Sequence, residues 1–276
     1  MRRISFNLHL ALGCWLLAFC CWLTAADVSA EPDDRQKKQA LLDSGAMPDA
    51  LPNSLWPQQP LPSEEETVHQ TLHFISTSTR QGIDVSHYQG KIDWHKVAMT
   101  GEVSYVFIKA TEGGTLVDDC YRTNLAGARR AGLKVGIYHF FSPTVPVSQQ
   151  LANLFSNVNK KEIDLIPIID VEHRGKLSQK EFNLRLKDFL KQVERHYRAR
   201  PIIYTGQNFY NKWLSGTFSK YKFMIAKYDT EIPYLVDDVP FVMWQYTATG
   251  RINGIRGNVD RSRFMDNYDL SDILLK

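Results

Sequence analysis

The sequence predicts an α/β fold built on a parallel β-sheet that is either open or closed into a barrel. Two observations carry this prediction: short apolar runs recur from about residue 80 onward, and helical patterns separate several of them. Strands that alternate with helices along a chain are typical of parallel sheets. The last runs leave little room for helices between them, so we expect an irregular barrel.

Eight short runs rich in β-branched and aromatic residues form the predicted strands. They begin near Gly82, Ser104, Lys134, Leu165, Pro201, Lys222, Phe241 and Gly257. Each run has the length and composition of a strand. Residues 80–276 are fewer than the ~250 residues of a typical eightfold barrel, which is a second reason to expect an irregular one.

Three helices are predicted between the strands. Ser178 and Glu181 form a capping box, and apolar residues then follow at helical spacing, namely Phe182, Leu186, Phe189, Leu190 and Val193. A second helix is predicted over Asp118–Ala131, where Gly132 would end it. A third is predicted over Val147–Val158.

The first thirty residues have the layout of a secretory signal. Arg2 and Arg3 precede an apolar stretch, Leu8–Leu23, and the small residues Val28-Ser29-Ala30 follow it. The apolar stretch of ~16 residues is short for a membrane span of ~20, so cleavage after Ala30 is favoured over an uncleaved signal anchor. Either interpretation exports the rest of the chain, which is then periplasmic or secreted, or else membrane-anchored through its N-terminal segment.

Residues 31–79 are predicted to be a Pro-rich tether that is largely disordered. Six of the twelve prolines of the chain lie there, and a proline-rich polar segment behaves as a semi-extended spacer.

Cys120 is the one cysteine after residue 30, so the exported part can form no internal disulfide. The net charge of +3 gives no indication of nucleic-acid binding, and we expect a monomer.

Two carboxylates, Asp170 and Glu172, follow the apolar run Leu165–Ile169 with one valine between them. In a strand these side chains point to the same face, about 6.6 Å apart along the backbone. Like charges beside an apolar wall repel, so the better buried acid should hold its proton to higher pH. One protonated acid beside one carboxylate is the arrangement that cleaves glycosidic bonds. The alternative is that one or both simply form ion pairs at a strand end.

Other predicted strands also end in polar or aromatic residues. If the strands are parallel, these side chains converge at one end of the sheet, where barrel enzymes have their active sites. Carboxylates among Tyr and Trp suit a sugar, because aromatic faces stack on pyranose rings while acids bind the hydroxyls. The residues expected there besides the pair are Asp84, Glu112, Tyr138, His139, Tyr204, Trp244, Gln245 and Asp260.

Simpler interpretations apply to some of these residues. Lys109 and Glu112 are candidates for an ordinary ion pair, and His87 and His139 for hydrogen-bonded wall residues. The eight histidines show no HExxH-type spacing, so no metal site is predicted. No motif indicates a cofactor.

Six spaced motifs stand out within residues 80–270: GIDVSHYQG, FIKATEGG, GIYHFF, IPIIDVE, IIYTG, and MWQYT followed by GNVDRSRF. Together they resemble the motifs of the family 25 glycoside hydrolases, which are lysozymes (N-acetylmuramidases) of the Chalaropsis type. The resemblance implies a flattened, irregular β/α barrel, similar to a TIM barrel, as a catalytic domain over residues 80–276. It also implies hydrolysis of the β-1,4 bond between N-acetylmuramic acid and N-acetylglucosamine in peptidoglycan.

The resemblance implies roles for individual residues as well. Glu172 matches the proton donor of the family, and Asp170 matches the acid that stabilises positive charge on the substrate. The residues that match acids and aromatic walls of the pocket are Asp84, Asp260, Tyr138 and Trp244. The last motif of the family often has Asn where this chain has Ser262, so a contact from that position is not carried over.

The shared strand face of Asp170 and Glu172 favours substrate assistance, in which the 2-acetamido oxygen of the sugar attacks the anomeric carbon. Glu172 would then protonate the leaving oxygen, and the product would keep its β configuration. Alternatively, Asp84 or Asp260 acts as a base across the cleft, which inverts the configuration. Two other functions stay open: a non-catalytic peptidoglycan-binding module, and a hydrolase of another N-acetylhexosamine polymer such as chitin.

Overall fold

The computed structural model describes Ser63 and residues 80–276. The predictions for residues 1–30 and, apart from Ser63, for residues 31–79 lie outside the described residues. Within the described part, no helix is both long and apolar enough to cross a membrane.

One mixed β-sheet forms the centre of residues 80–276, and eight of its nine strands close into a barrel. The strands are β1 (Gln81–Val85), β2 (Tyr105–Glu112), β3 (Leu116–Val117), β4 (Lys134–Phe140), β5 (Ile168–Asp170), β6 (Ile202–Gly206), β7 (Lys222–Ala226), β8 (Met243–Gly250) and β9 (Val259–Phe264). Around the barrel the order is β1-β9-β8-β7-β6-β5-β4-β2, and β1 pairs with β2 to close it. The irregular α/β barrel and its eight predicted strands are confirmed. The two-residue β3, which extends β2 as a hairpin, is too short to be recognised in the sequence.

The barrel is irregular because its last strand runs against the others. Neighbouring strands from β1 through β2 and β4 to β8 pair in parallel, whereas β9 is antiparallel to both β8 and β1. Only residues 251–258 connect β8 to β9. A connection that short can form a hairpin but not the crossover helix that a parallel strand needs.

The direction of β9 corrects one step of the sequence analysis. Asp260 lies at the start of β9, not at the end of a parallel strand. Because β9 is antiparallel, its first residues lie at the same rim as the last residues of the parallel strands. Asp260 is therefore the register partner of Asp84 on β1, and it reaches the predicted site by a route that the sequence analysis did not foresee.

Helices cover the outside of the barrel at the connections between parallel strands. They are α1 (Trp94–Met99), α2 (Tyr121–Arg130), α3 (Val147–Asn157), α4 (Gln179–Tyr197) and α5 (Gln207–Phe209), which continues as a π-helical turn over Tyr210–Leu214. The predicted helices are α2, α3 and α4, and the predicted capping box of Ser178 and Glu181 begins α4. Gly132 follows α2 with a φ of +84°. The short α1 and α5 were not predicted, because less than two turns shows no helical period.

Apolar side chains are buried on both faces of the barrel strands. One cluster contains no residue of α1–α5 and fills the interior; it includes Tyr105, Phe107, Ile168, Met224 and Met243. The larger cluster joins the outward-facing side chains of the strands to the helices. Adjacent residues of a strand therefore have different surroundings, and this alternation decides which residues reach the site.

The ring of Tyr105 fills the interior below the rim. A Cβ atom on Gly82 would lie only 2.1 Å from that ring, so glycine is required where the ring crosses β1. The hydroxyl of Tyr105 lies 3.2 Å from the Oγ of Ser262, and both residues are fully buried. Ser262 thus makes its contact inside the barrel, beneath the predicted site.

Candidate active site

A pocket of about 210 Å³ opens at the rim where the parallel strands end. Four carboxyl groups line it: Asp84 from β1, Asp170 at the end of β5, Glu172 two residues further on, and Asp260 from the start of β9. Tyr138, Tyr204 and Gln245 also line the pocket. The structure thus brings together seven of the ten residues predicted for the site.

Asp170 and Glu172 stand close enough for each to shift the pKa of the other. Asp170 is 7% exposed, whereas Glu172 faces solvent in the pocket. Burial and the charge of Glu172 raise the pKa of Asp170 well above its usual value. Burial also raises the pKa of Glu172, against the opposing effects of His173, Asp170 and Lys109. The pair therefore binds a proton more tightly than isolated carboxyl groups do, and burial favours Asp170 as its holder in the free protein.

Asp84 and Asp260 form the other half of the acidic cluster. Burial, with a smaller effect from the charge of Asp260, raises the pKa of Asp84 to about 8. Burial and the charge of Glu172 raise the pKa of Asp260 to about 6. In the barrel order, β9 is four strands away from β5 in either direction, so Asp260 stands on the wall opposite Asp170.

Gln245 orients the buried acid Asp84. The hydroxyls of Tyr204 and Tyr228 donate to its Oε1 at 2.8 and 2.9 Å, and its Nε2 donates to Oδ2 of Asp84 at 3.0 Å. Because the amide oxygen can only accept, the two tyrosines determine which way the amide group points. The N–H groups of Gln245 are therefore directed at Asp84, and their hydrogen bond opposes the rise in its pKa.

Lys109 supplies a buried positive charge beside the pair. Its Nζ lies 2.6 Å from Oε2 of Glu112 and 5.6 Å from the centre of the Phe140 ring. The charge of Lys109 opposes the rise in the pKa of both Asp170 and Glu172. Glu112 is outside the pocket lining, so its expected contact with substrate is replaced by the simpler interpretation, an ion pair with Lys109.

Trp244 and His139 were also expected in the pocket and lie outside it. Trp244 precedes Gln245 on β8 and points outward, where its Nε1 donates to a backbone carbonyl oxygen at 2.9 Å. His139 follows Tyr138 on β4 and is fully buried, with hydrogen bonds at both ring nitrogens. Burial lowers the pKa of His139 to about 4, so its ring is neutral. Adjacent residues of a strand cannot share a face, and in each case the neighbour occupies the pocket side.

The pocket also contains residues that the sequence analysis did not select. Ser86, Tyr88 and Gln89 follow β1, and Met224 lies on β7. Tyr228, which bonds Gln245, comes two residues after β7. Apart from Met224, which lies in the middle of β7, these residues follow strand ends, so the signal that selected the other site residues would have found them as well.

A network of hydrogen bonds holds the turn that presents Tyr88 at the rim. Asp118 is buried and accepts from the backbone N–H of His87 at 3.0 Å, and it lies 2.6 Å from the Nδ1 of the same histidine. Ser86 and Gln89 form a capping box around the turn. Tyr88 itself is 81% exposed. An exposed aromatic ring is thus carried by a rigid turn.

No group of three or more His, Cys, Asp or Glu side chains in the described residues is arranged to hold a metal ion. The pocket thus presents four carboxyl groups whose pKa values are all raised, most of all those of the buried Asp84 and Asp170. Such a site can protonate a leaving oxygen and can stabilise positive charge on a substrate. These are the two requirements of glycosidic bond cleavage.

Comparisons with known proteins agree with this chemistry. The family model described as "Glycosyl hydrolases family 25" matches residues 83–255. Lysozyme M1 of Streptomyces globisporus is 32% identical over 210 residues, which are 71% of this chain and 71% of that protein. The Escherichia coli protein YegX is 40% identical over 197 residues, 70% of this chain and 72% of YegX. The crystal structure of a bacterial lysozyme from Streptomyces coelicolor is similar with a TM-score of 0.64 and 31% identity, covering 71% of this chain and 96% of that one.

Replacing Asp84 with Asn should stabilise the protein increasingly as the pH rises from about 4 to about 8. The raised pKa of Asp84 means that its contribution to stability is complete below its usual pKa of 3.8 and is lost as the pH rises through about 8. Asn still accepts from Gln245 but carries no charge. We expect the melting temperature of Asp84→Asn to exceed that of the wild type by at least about 2 °C at pH 8 in calorimetry, with the difference shrinking toward pH 4.

Asp93→Asn is the matched control, with the opposite sign. Hydrogen bonds from Lys96 lower the pKa of Asp93 at the start of α1. This variant should therefore lose stability relative to the wild type as the pH rises through about 4. If both variants changed in the same direction with pH, burial would not be what controls Asp84.

Proposed function

The chain belongs to the glycosyl hydrolases of family 25, and from this membership and the acidic pocket we propose that it is a lysozyme. It is a glycoside hydrolase that acts on peptidoglycan and cleaves the β-1,4 bond between N-acetylmuramic acid and N-acetylglucosamine. The observation that carries this assignment is the pair Asp170 and Glu172, in which a buried acid with a raised pKa stands beside a solvent-facing acid at the barrel rim.

Glu172 is assigned as the proton donor because it is the member of the pair that faces the open pocket. In the free protein burial favours the proton on Asp170, so a proton must be held by Glu172 instead before the glycosidic bond breaks. The acetamido N–H of a bound sugar supplies the cause, since by donating to Asp170 it stabilises the ionised carboxylate. Asp170 then orients the acetamido group and offsets the positive charge that develops at the anomeric carbon.

Substrate assistance is the mechanism that the pair supports. Both acids leave the same strand end, so they approach the sugar from one side and leave the attack to the acetamido oxygen. The β configuration is then retained. Asp260 stands on the opposite wall and is the residue that would act as base in an inverting route, where water attacks from the far face.

The N-terminal segment supports export of the enzyme to the cell wall. The basic start, the apolar stretch Leu8–Leu23 and the small residues Val28-Ser29-Ala30 carry this part of the proposal. The enzyme is then periplasmic or secreted and acts as a monomer on the wall, tethered by residues 31–79 if the leader is retained.

Glu172→Gln should lower the rate of peptidoglycan cleavage by about 10²–10⁴-fold, because the amide keeps the shape of the side chain but cannot donate an acidic proton. The measurement is clearing of purified cell walls, with mass spectrometry of the reducing ends. Glu162→Gln is the control, since it removes only an exposed ion pair with Arg122, and it should retain the wild-type rate.

The same assay separates the other two functions. A wild-type protein that binds walls and releases no reducing ends would be a binding module. Cleavage of chitin in preference to peptidoglycan would assign the other polymer. Wild-type clearing by Glu172→Gln would remove Glu172 from the role of proton donor.

The first-formed product should be the β anomer, as substrate assistance requires, and NMR spectra recorded during the reaction can detect it before mutarotation. Walls whose muramic acid lacks the N-acetyl group should resist cleavage. An α product would instead indicate inversion and would move the role of base to Asp84 or Asp260.

Cleavage of the leader after Ala30 is tested by sequencing the N-terminus of the protein isolated from its native cell. We expect the mature chain to begin at Glu31. A chain that begins at Met1 would contradict cleavage and favour the signal anchor.

A further inference from the structure

A second concave surface of about 1120 Å³ lies next to the acidic pocket. Tyr88 and Gln89 line both, so a ligand that passes over the exposed ring of Tyr88 can occupy the two at once. We call this surface the cationic groove and define it by residues 88–96, the end of α2 and residues 253–256. It plays no part in the mechanism described above.

The groove has an apolar floor and a positively charged rim. Ile92, Trp94 and Ile255 form the floor, and each is at most 9% exposed. The rim carries exposed cations, namely Lys91, Lys96, Arg130 and Arg256.

The positive charge of the rim is mostly uncompensated. Lys96 pairs with Asp93 at 3.1 Å, and Asp93 is the one carboxylate among the groove residues. Lys91, Arg130 and Arg256 have no ion-pair partner among the described residues. The groove therefore bears about three positive charges beside a pocket whose ionisable groups are four carboxyls and three tyrosines.

Close packing holds the shape of the groove. A Cβ atom on Gly127 of α2 would lie 2.2 Å from the Trp94 ring, and one on Gly254 would lie 2.5 Å from the backbone oxygen of Asp93. The backbone N–H of Asp93 donates to the oxygen of Gly254 at 2.9 Å. The segments that carry the cations are therefore fixed to one another, and a ligand would meet a preformed surface.

From this arrangement we infer that the cationic groove binds the stem peptide of the substrate, the short peptide that the lactyl group of muramic acid carries. The inference rests on the proposed function. Stem peptides consist largely of alanine and residues with free carboxylates, so their methyl groups fit the apolar floor and their carboxylates fit Lys91, Arg130 and Arg256. The sugar at the acidic pocket and the peptide in the groove belong to one molecule, which explains why the two surfaces are joined at Tyr88.

The test compares a groove variant with a charge-matched control on two substrates. The groove variant is Lys91→Gln, Arg130→Gln and Arg256→Gln combined. The control is Lys180→Gln, Lys191→Gln and Arg195→Gln combined, which removes three exposed charges from α4. The substrates are intact peptidoglycan and the same material after an amidase has removed its peptides, and circular dichroism checks that each variant is folded.

The groove variant should lose about tenfold in kcat/KM on intact peptidoglycan, since three exposed charge contacts of modest strength are removed. It should match the wild type on the peptide-free glycan, and the control variant should match the wild type on both. Equal losses on the two substrates, or no loss on either, would overturn the inference.

Direct binding separates this inference from the proposed function. A synthetic stem pentapeptide with free carboxylates is titrated into the wild-type protein and followed by NMR. Amide signals of residues 90–96 and 253–256 should shift, and a fully amidated peptide should bind at least about tenfold more weakly. Binding with these features and no cleavage of any wall would leave the groove assigned and the proposed function refuted. Absence of shifts, or tighter binding of a glycerol phosphate oligomer at the same residues, would overturn the peptide assignment.

Discussion

Closure of the barrel brings four carboxyl groups into one small pocket. The side chains around the pocket offset the free energy that is needed to bury these groups together. Asp84 and Asp170 are nearly buried, and burial penalises the charged form of each. A charge that cannot be solvated must be neutralised by a proton or met by ordered donors. The protein uses both retained protons and ordered donors. The reactivity of the site follows from the retained protons.

The groups that support the acids come from strands on different sides of the barrel. Gln245 on β8 reaches Asp84 because Tyr204 and Tyr228 orient its amide. Lys109 on β2 offsets the charge of the Asp170 and Glu172 pair while it is itself held by Glu112. Neither device removes the proton from the pair. Lys109 limits how far the pKa values of the pair rise, and Gln245 limits the rise in the pKa of Asp84.

Charge on the surface of the protein is divided more sharply than its net charge of +3 indicates. Acidic groups converge inside the pocket, where burial keeps some of them protonated, whereas the neighbouring groove has exposed cations around an apolar floor. A substrate with a largely uncharged glycan and carboxylate-bearing side chains matches that division. Tyr88 stands at the border of the two surfaces and is held there by the turn that Asp118 supports.

The sequence by itself determined the eight barrel strands, the helices α2, α3 and α4, and the chemical class of the site. The spacing of apolar residues, the capping residues and the carboxylates at strand ends are all local properties of the chain. The sequence also identified Ser262 as a departure from the last motif of the family. Only the packing against Tyr105 shows what Ser262 contacts. Tertiary structure decided where Asp260 lies, because β9 pairs with both β8 and β1 and so brings the start of an antiparallel strand to the rim. It also decided that Gln245 and Tyr138 face the pocket while Trp244 and His139 face away from it, since the face that a strand turns inward depends on its register with both neighbours. The cationic groove could not be predicted at all, because its charges come from three distant segments that meet only when the barrel closes.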